Sequence, residues 1–171
     1  MSVIKPYPFQ FVGVSTVSSD EVQIETLVYH FKSTKSGHSY NVNIEHYQHN
    51  LYCLKFYDDT NRHAKIGRFN QVTGTYEPRT IFRTVAEIAL DVLRRDPKAS
   101  FFFVGASDSR DTPGTSTRRY RVYTMFMKDL AIDSLFRPSF FNDISLCLLV
   151  NTSAVADIDR YIGDILSFIH G

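Results

Sequence analysis

The chain has 171 residues, 43% of them apolar and 22% charged, with a formal net charge of +1. That length fits a single domain over residues 1–171, large enough to bury a core without a disulfide or metal staple. Near-neutral charge supplies no global field to hold nucleic acid or an acidic membrane, so nucleic acid is a disfavoured partner.

Residues Met1 to Val14 lack the basic start and long apolar run of a signal peptide. No apolar stretch approaches the ~20 residues of a membrane span, so no membrane contact is expected and the cytoplasm is the expected compartment. Val22, Ile24, Thr26 and Val28 alternate with other positions at the period of a strand. Two further strands are expected from Tyr40 to Tyr47 and from Leu51 to Tyr57. A three-residue loop, Gln48-His49-Asn50, sets Ile44 opposite Leu54 and Val42 opposite Phe56. A two-residue loop would match Ile44 with Lys55, so the odd loop is favoured because register follows the buried face. Asn50 tolerates the left-handed conformation such a loop needs. A fourth strand is expected near Ala64 to Phe69.

Pro78 suits the first turn of a helix. Ile81, Val85, Ile88, Ala89 and Val92 then fall on one helical face, with Arg83, Glu87, Asp91 and Arg95 on the other. Asp96-Pro97 ends it. Ser100 to Gly105 is an unbroken apolar run expected as a central strand, and Ile144 to Val150 as another. Phe101, Phe103, Ile88, Val92, Leu146 and Leu148 are expected to be buried together. Thr115, Ser116 or Thr117 would cap a second helix reaching about Ala131. Ser153 to His170 reads as a final helix with Val155, Ile158, Ile162, Ile165 and Ile169 inward. The expected fold class is α+β: a four-stranded N-terminal meander followed by α-β-α-β-α, helices packed on a mixed, mainly antiparallel sheet. Phe (14) and Tyr (10), with no Trp, must supply most of the core volume.

Chemistry is concentrated after the Ser100–Gly105 strand. Residues 105–117 are small and hydroxyl-rich, and the helix that follows opens Arg118-Arg119-Tyr120-Arg121. Cations in a first helical turn oppose the helix dipole. A bound anion would relieve them, held by free N–H groups, hydroxyls and guanidinium forks. The candidate binding residues are therefore Ser107, Ser109, Thr115, Arg118, Arg119 and Arg121. Surface pairing with Asp108, Asp111 or Asp129 is the alternative. Ligands also collect beyond the carboxyl ends of strands in sheets with helical crossovers.

Other signals are weaker. Cys53 and Cys147 lie in apolar runs, as small buried hydrophobes of a reducing compartment do; neither has the basic, partly exposed setting of a catalytic thiol. His46 and His49 have metal-ligand spacing, but on a hairpin and without further ligands, so no metal is expected. The hairpin register turns His46 to the apolar face and leaves His49 in the loop. Tyr47, Tyr57, Lys55 and Arg62 fit either a base-stacking platform or a solvated sheet face. Asp157, Asp159 and Asp164 read as a solvated helix face.

Two resemblances follow from the second half. Asp91-Val92-Leu93, Asp96-Pro97-Lys98-Ala99-Ser100-Phe101-Phe102-Phe103-Val104-Gly105-Ala106 and Thr117-Arg118-Arg119-Tyr120-Arg121-Val122-Tyr123 resemble an uncharacterised bacterial domain family common in Bacteroidetes. That resemblance spans Thr80 to Val150 and implies no activity. The order of strand meander, helix, strand, helix and further strand is also similar to that of the GCN5-related N-acetyltransferases. It implies that Tyr123 occupies the position of a tyrosine that protonates the leaving thiolate. The segment Gln71 to Pro78, where that family carries a glycine-rich acyl-CoA turn, departs from it: one glycine, with Tyr76 and Glu77 beside it.

The expected function is a non-enzymatic binding or regulatory protein that uses its arginine-rich helix N-terminus to hold an anionic small molecule or a protein partner. A homodimer is open and no cofactor is expected. The alternatives are an acyltransferase-like enzyme with Tyr123 as general acid, and a nucleic-acid-binding protein.

Overall fold

A computed structural model of the chain describes residues 4–16, 23–58, 78–104 and 135–170. Among the described residues seven strands form one mixed sheet: β1 (Phe9–Thr16), β2 (Gln23–Lys32), β3 (Ser39–Tyr47), β4 (Leu51–Asp58), β5 (Ser100–Val104), β6 (Phe136–Phe141) and β7 (Leu146–Asn151). Their order across the sheet is β1-β2-β3-β4-β5-β7-β6. Helix α1 (Pro78–Arg95) joins β4 to β5, the one parallel pair among the described residues. Helix α2 (Ile158–His170) follows β7. The class is α+β. No described helix is long and apolar enough to cross a membrane.

Alternation along the strands divides the core in two. On one face Leu27, Tyr29, Phe31, Val42, Ile44, Leu54, Phe101 and Phe103 pack with Ile81, Val85, Ile88 and Val92 of α1. On the other, Leu51, Cys53, Phe102, Leu146, Leu148 and Val150 pack with Ile165 of α2. The expected joint burial is therefore corrected. All six named residues are buried, but Leu146 and Leu148 lie on the α2 face, while Phe101, Phe103, Ile88 and Val92 lie on the α1 face. Register is the reason: Phe101 pairs with Leu149 and Phe103 with Cys147, which carries Leu149 and Cys147 to the α1 side.

The hairpin register is as expected, with Ile44 opposite Leu54, Val42 opposite Phe56 and Asn43 opposite Lys55. Both His49 (φ 66) and Asn50 (φ 56) take left-handed backbone in its turn. Leu27, Tyr29 and Phe31 are buried, whereas Ile24 is 49% exposed. The bulkier odd positions win the inner face, and a register shift near Gln23 and Glu25 separates Ile24 from the regular ladder.

Strands β1 and β6 carry no clean alternation and were not expected from the sequence. The expected strand at 64–69 and helix at 115–131 lie outside the described residues, so the expected α-β-α-β-α order is not recovered as such. Helix α1 forms as expected, with Arg83–Glu87 and Asp91–Arg95 pairs on its polar side. It stops where Asp96 accepts Lys98 N–H at 3.0 Å and turns the chain into β5. Helix α2 begins later than Ser153, because Asp157 caps it: its Oδ1 accepts Arg160 N–H at 3.1 Å. Val155, Ile158, Ile162 and Ile165 face inward as expected; the Ile169 side chain lies outside the described set.

Candidate functional site

The parallel pair β4–β5 is short. Leu51 pairs with Ser100, Tyr52 with Phe101 and Cys53 with Phe102. β4 then continues to Asp58 and β5 to Val104, so their carboxyl ends lie at the same end of the sheet.

The start of α1 lies at this same end. Its far end is fixed at the opposite edge of the strands, where Asp96 accepts hydrogen bonds from Asn50 Nδ2 (2.9 Å) and Tyr52 OH (2.8 Å). Near its start, Phe82 sits edge-on against Phe56 of late β4, with centroids 5.7 Å apart. The first turn of α1 carries no acidic residue and includes exposed Arg79. At the end of β5, Val104 is 50% exposed. The chain leaves that point directly into the serine- and arginine-rich segment. Ser107, Ser109, Thr115, Arg118, Arg119, Arg121 and Tyr123 all lie outside the described residues.

Two tyrosine–carboxylate pairs anchor α1 on the sheet. Tyr29 OH donates to Asp91 Oδ2 at 2.7 Å, and Asp91 also meets Arg94 and Arg95. Burial, reinforced by the neighbouring carboxylates, raises the Tyr29 and Tyr52 hydroxyls well above the usual phenol range. Burial would raise Asp91 and Asp96 too. Hydrogen bonds from Tyr29 and Arg95 to Asp91, and from Asn50, Tyr52 and Lys98 N–H to Asp96, outweigh it and hold both carboxyls low. His46 stacks on Tyr52 at 4.2 Å and lies 3.3 Å from Glu25. It faces the α1 side, as its register requires. Cys53 is buried, which pushes its thiol up to about 12, so it is no ready nucleophile. Cys147 is buried as well. No group of three potential metal ligands occurs among the described residues.

The opposite end of the sheet holds a cleft of about 290 Å³ between the β3–β4 turn, the α1–β5 turn and the start of α2. His49, Asn50, Lys98, Asp157, Arg160 and Asp164 border it. A second, more apolar cleft of about 240 Å³ adjoins it, bordered by Tyr47, Leu51, Ile165 and Phe168. Tyr161 borders both and donates its hydroxyl to His49 O at 2.9 Å. Buried Asn151 braces this end. Its Nδ2 donates to Pro97 O (2.9 Å) and Ala99 O (3.1 Å), and its Oδ1 accepts from Ser153 N–H (3.0 Å). Sequence reasoning did not single out Lys98 or Arg160; Asp157, Asp159 and Asp164 are exposed, as expected of a solvated helix face. The three-residue spacing of Asp157 and Arg160, with Asp164 a turn further on, was the available signal. No family model, curated protein or solved structure matches the chain.

Proposed function

We propose that this chain is a non-enzymatic binding or regulatory protein that takes an anionic ligand, or an anionic group of a protein partner, at the carboxyl ends of β4 and β5. The carrying observation is that the crossover helix α1 starts beside the carboxyl end of β4, Phe82 meeting Phe56. A crevice at the carboxyl ends of strands, beside a crossover helix start, is where sheets of this kind collect ligands. The first turn of α1 lacks an acidic residue to answer its dipole. Strand β5 runs straight into the segment bearing Ser107, Ser109, Thr115, Arg118, Arg119 and Arg121. A sulfate or phosphate titration followed by thermal melting tests this, in the parent and in Arg119→Ala. The parent should be stabilised by the anion and the variant much less so. A large loss of stability in Arg119→Ala, with no anion response in either protein, would mean that the arginines hold the fold together instead.

One observation favours a second reading at the same place. The observed meander β1–β4, followed by α1 and β5, keeps the order on which the likeness to GCN5-related N-acetyltransferases rests. The anion is then the pyrophosphate of an acyl-CoA, and Tyr123 protonates the thiolate that leaves when an amine attacks the thioester. Stabilisation by acetyl-CoA far beyond that by equimolar phosphate selects this reading; equal responses select the first. Steep salt dependence of binding to an oligonucleotide would instead favour a nucleic-acid partner.

A further inference from the structure

We infer that the opposite end of the sheet is a second binding site, shaped for a free α-amino acid with a large apolar side chain. The inference stands apart from the proposed anion site, because the two clefts gather at the amino ends of β4 and β5 rather than the carboxyl ends. Among the described residues Lys55, Arg83, Arg94 and Arg95 meet a carboxylate, while Lys5, Lys32, Lys35, Arg79, Lys98, Arg137 and Arg160 meet none. Of these, Lys98 and Arg160 border one cleft, which also holds Asp157 and Asp164. Arg160 precedes Asp164 by four residues, the poorer order for a helical ion pair. Asp157 is committed to capping α2 through Arg160 N–H. That leaves two cations and one carboxylate free to meet a ligand of mixed charge.

Their arrangement sets the order of groups. Lys98 and Arg160 border only the polar cleft; Asp164 borders both clefts; Tyr47, Leu51, Ile165 and Phe168 border only the apolar one. A ligand that satisfies all three regions carries a carboxylate, then an ammonium, then an apolar group. That is the connectivity of an α-amino acid. The carboxylate meets Lys98 and Arg160, the ammonium meets Asp164, and the side chain enters beside Phe168 past Tyr161. The apolar cleft is walled by aromatic rings, with Tyr47 edge-on to Phe168 at 5.2 Å and tilted against Phe102 at 5.9 Å. These volumes lie near or below the small end of ligand sites, about 300 Å³, which fits one amino acid rather than a nucleotide. Two successive left-handed residues, His49 and Asn50, hold the rim in shape.

The test is a titration of the isotope-labelled full chain with L-phenylalanine, read by amide chemical shifts, beside three truncated probes. Saturable shifts are expected at residues 47–51, 98–100 and 154–168. Removing the ammonium (3-phenylpropionate), the carboxylate (2-phenylethylamine) or the side chain (glycine) should each weaken binding about tenfold or more. Arg160→Gln should weaken L-phenylalanine about tenfold yet leave 2-phenylethylamine unchanged; Asp164→Asn should weaken it similarly yet leave 3-phenylpropionate unchanged. Both residues are exposed, so both variants should melt like the parent. No saturable shift with L-phenylalanine would overturn the site. Truncated probes binding as tightly as the amino acid, or shifts confined to other residues, would overturn the ligand class.

Discussion

The two faces of the sheet are held by opposite means. On the α1 side, tyrosines of the sheet reach out to carboxylates of the helix and its C-terminal turn: Tyr29 to Asp91 and Tyr52 to Asp96. On the α2 side, a tyrosine of the helix reaches back to the sheet, Tyr161 to the carbonyl of His49. The first arrangement buries charge-assisted hydrogen bonds beneath a long helix. The second leaves two clefts along the helix, with charged side chains at their rims. The α1 contacts are charge-assisted and half-buried, and the Tyr161 contact is neutral and exposed.

The largest expected effect sharpens that contrast in the core. Phe101, packed under α1, is 2% exposed, and Phe101→Ala should cost about 3–5 kcal/mol. Ile165 of α2 borders the apolar cleft, and Ile165→Ala should cost about 2–3 kcal/mol, the low end for a site that already adjoins open space. Denaturant melts of the two variants check it; equal losses would break the distinction between the faces.

The tyrosine hydroxyls give a smaller difference. Tyr52→Phe removes a donor from a carboxylate held under α1 and should cost about 1.5–3 kcal/mol. Tyr161→Phe removes a neutral bond to a turn carbonyl and should cost about 0.5–1.5 kcal/mol. Reversed magnitudes in the same melts would contradict the roles assigned to the two faces.

Acid should act on one face first. The folded-state carboxyls of Asp91 and Asp96 lie below their unfolded value of about 3.9. Their stabilisation is therefore complete above that pH and is lost as the pH falls through the lower folded values. Stability measured from pH 6 downward should decline in this window for the parent and decline less for Asp96→Asn. An unchanged acid limb in the variant would remove Asp96 from the account.

Much of the α1 face was legible in the sequence, and less of the α2 face. The i, i+4 apolar spacing from Ile81 to Val92 defines α1, and the three-residue loop defines the β3–β4 register, because each depends on local periodicity. The tyrosine pins were not legible: Tyr29 and Asp91 are 62 positions apart and meet only through the fold. The inner face of β2 was not legible for a similar reason. Ile24 alternates correctly with its neighbours, but the larger rings at Tyr29 and Phe31 decide which side is buried. Strand β6 was missed because Arg137-Pro138-Ser139 breaks any alternation, as a sheet edge permits. At the candidate site, the arginine-rich segment showed itself through charge at an expected helix start, and the parallel pairing of β4 with β5 became visible only with the sheet order.

The central claim is that an anion binds at the carboxyl ends of β4 and β5. Its most direct test is an amide chemical-shift titration of the full chain with acetyl-CoA and, separately, with inorganic phosphate. The account predicts saturable shifts at residues 54–58, 79–82 and 103–104 with at least one of them, and an undisturbed Tyr161–His49 end. Saturation with neither ligand, or shifts restricted to residues 47–51 and 154–168, would contradict it.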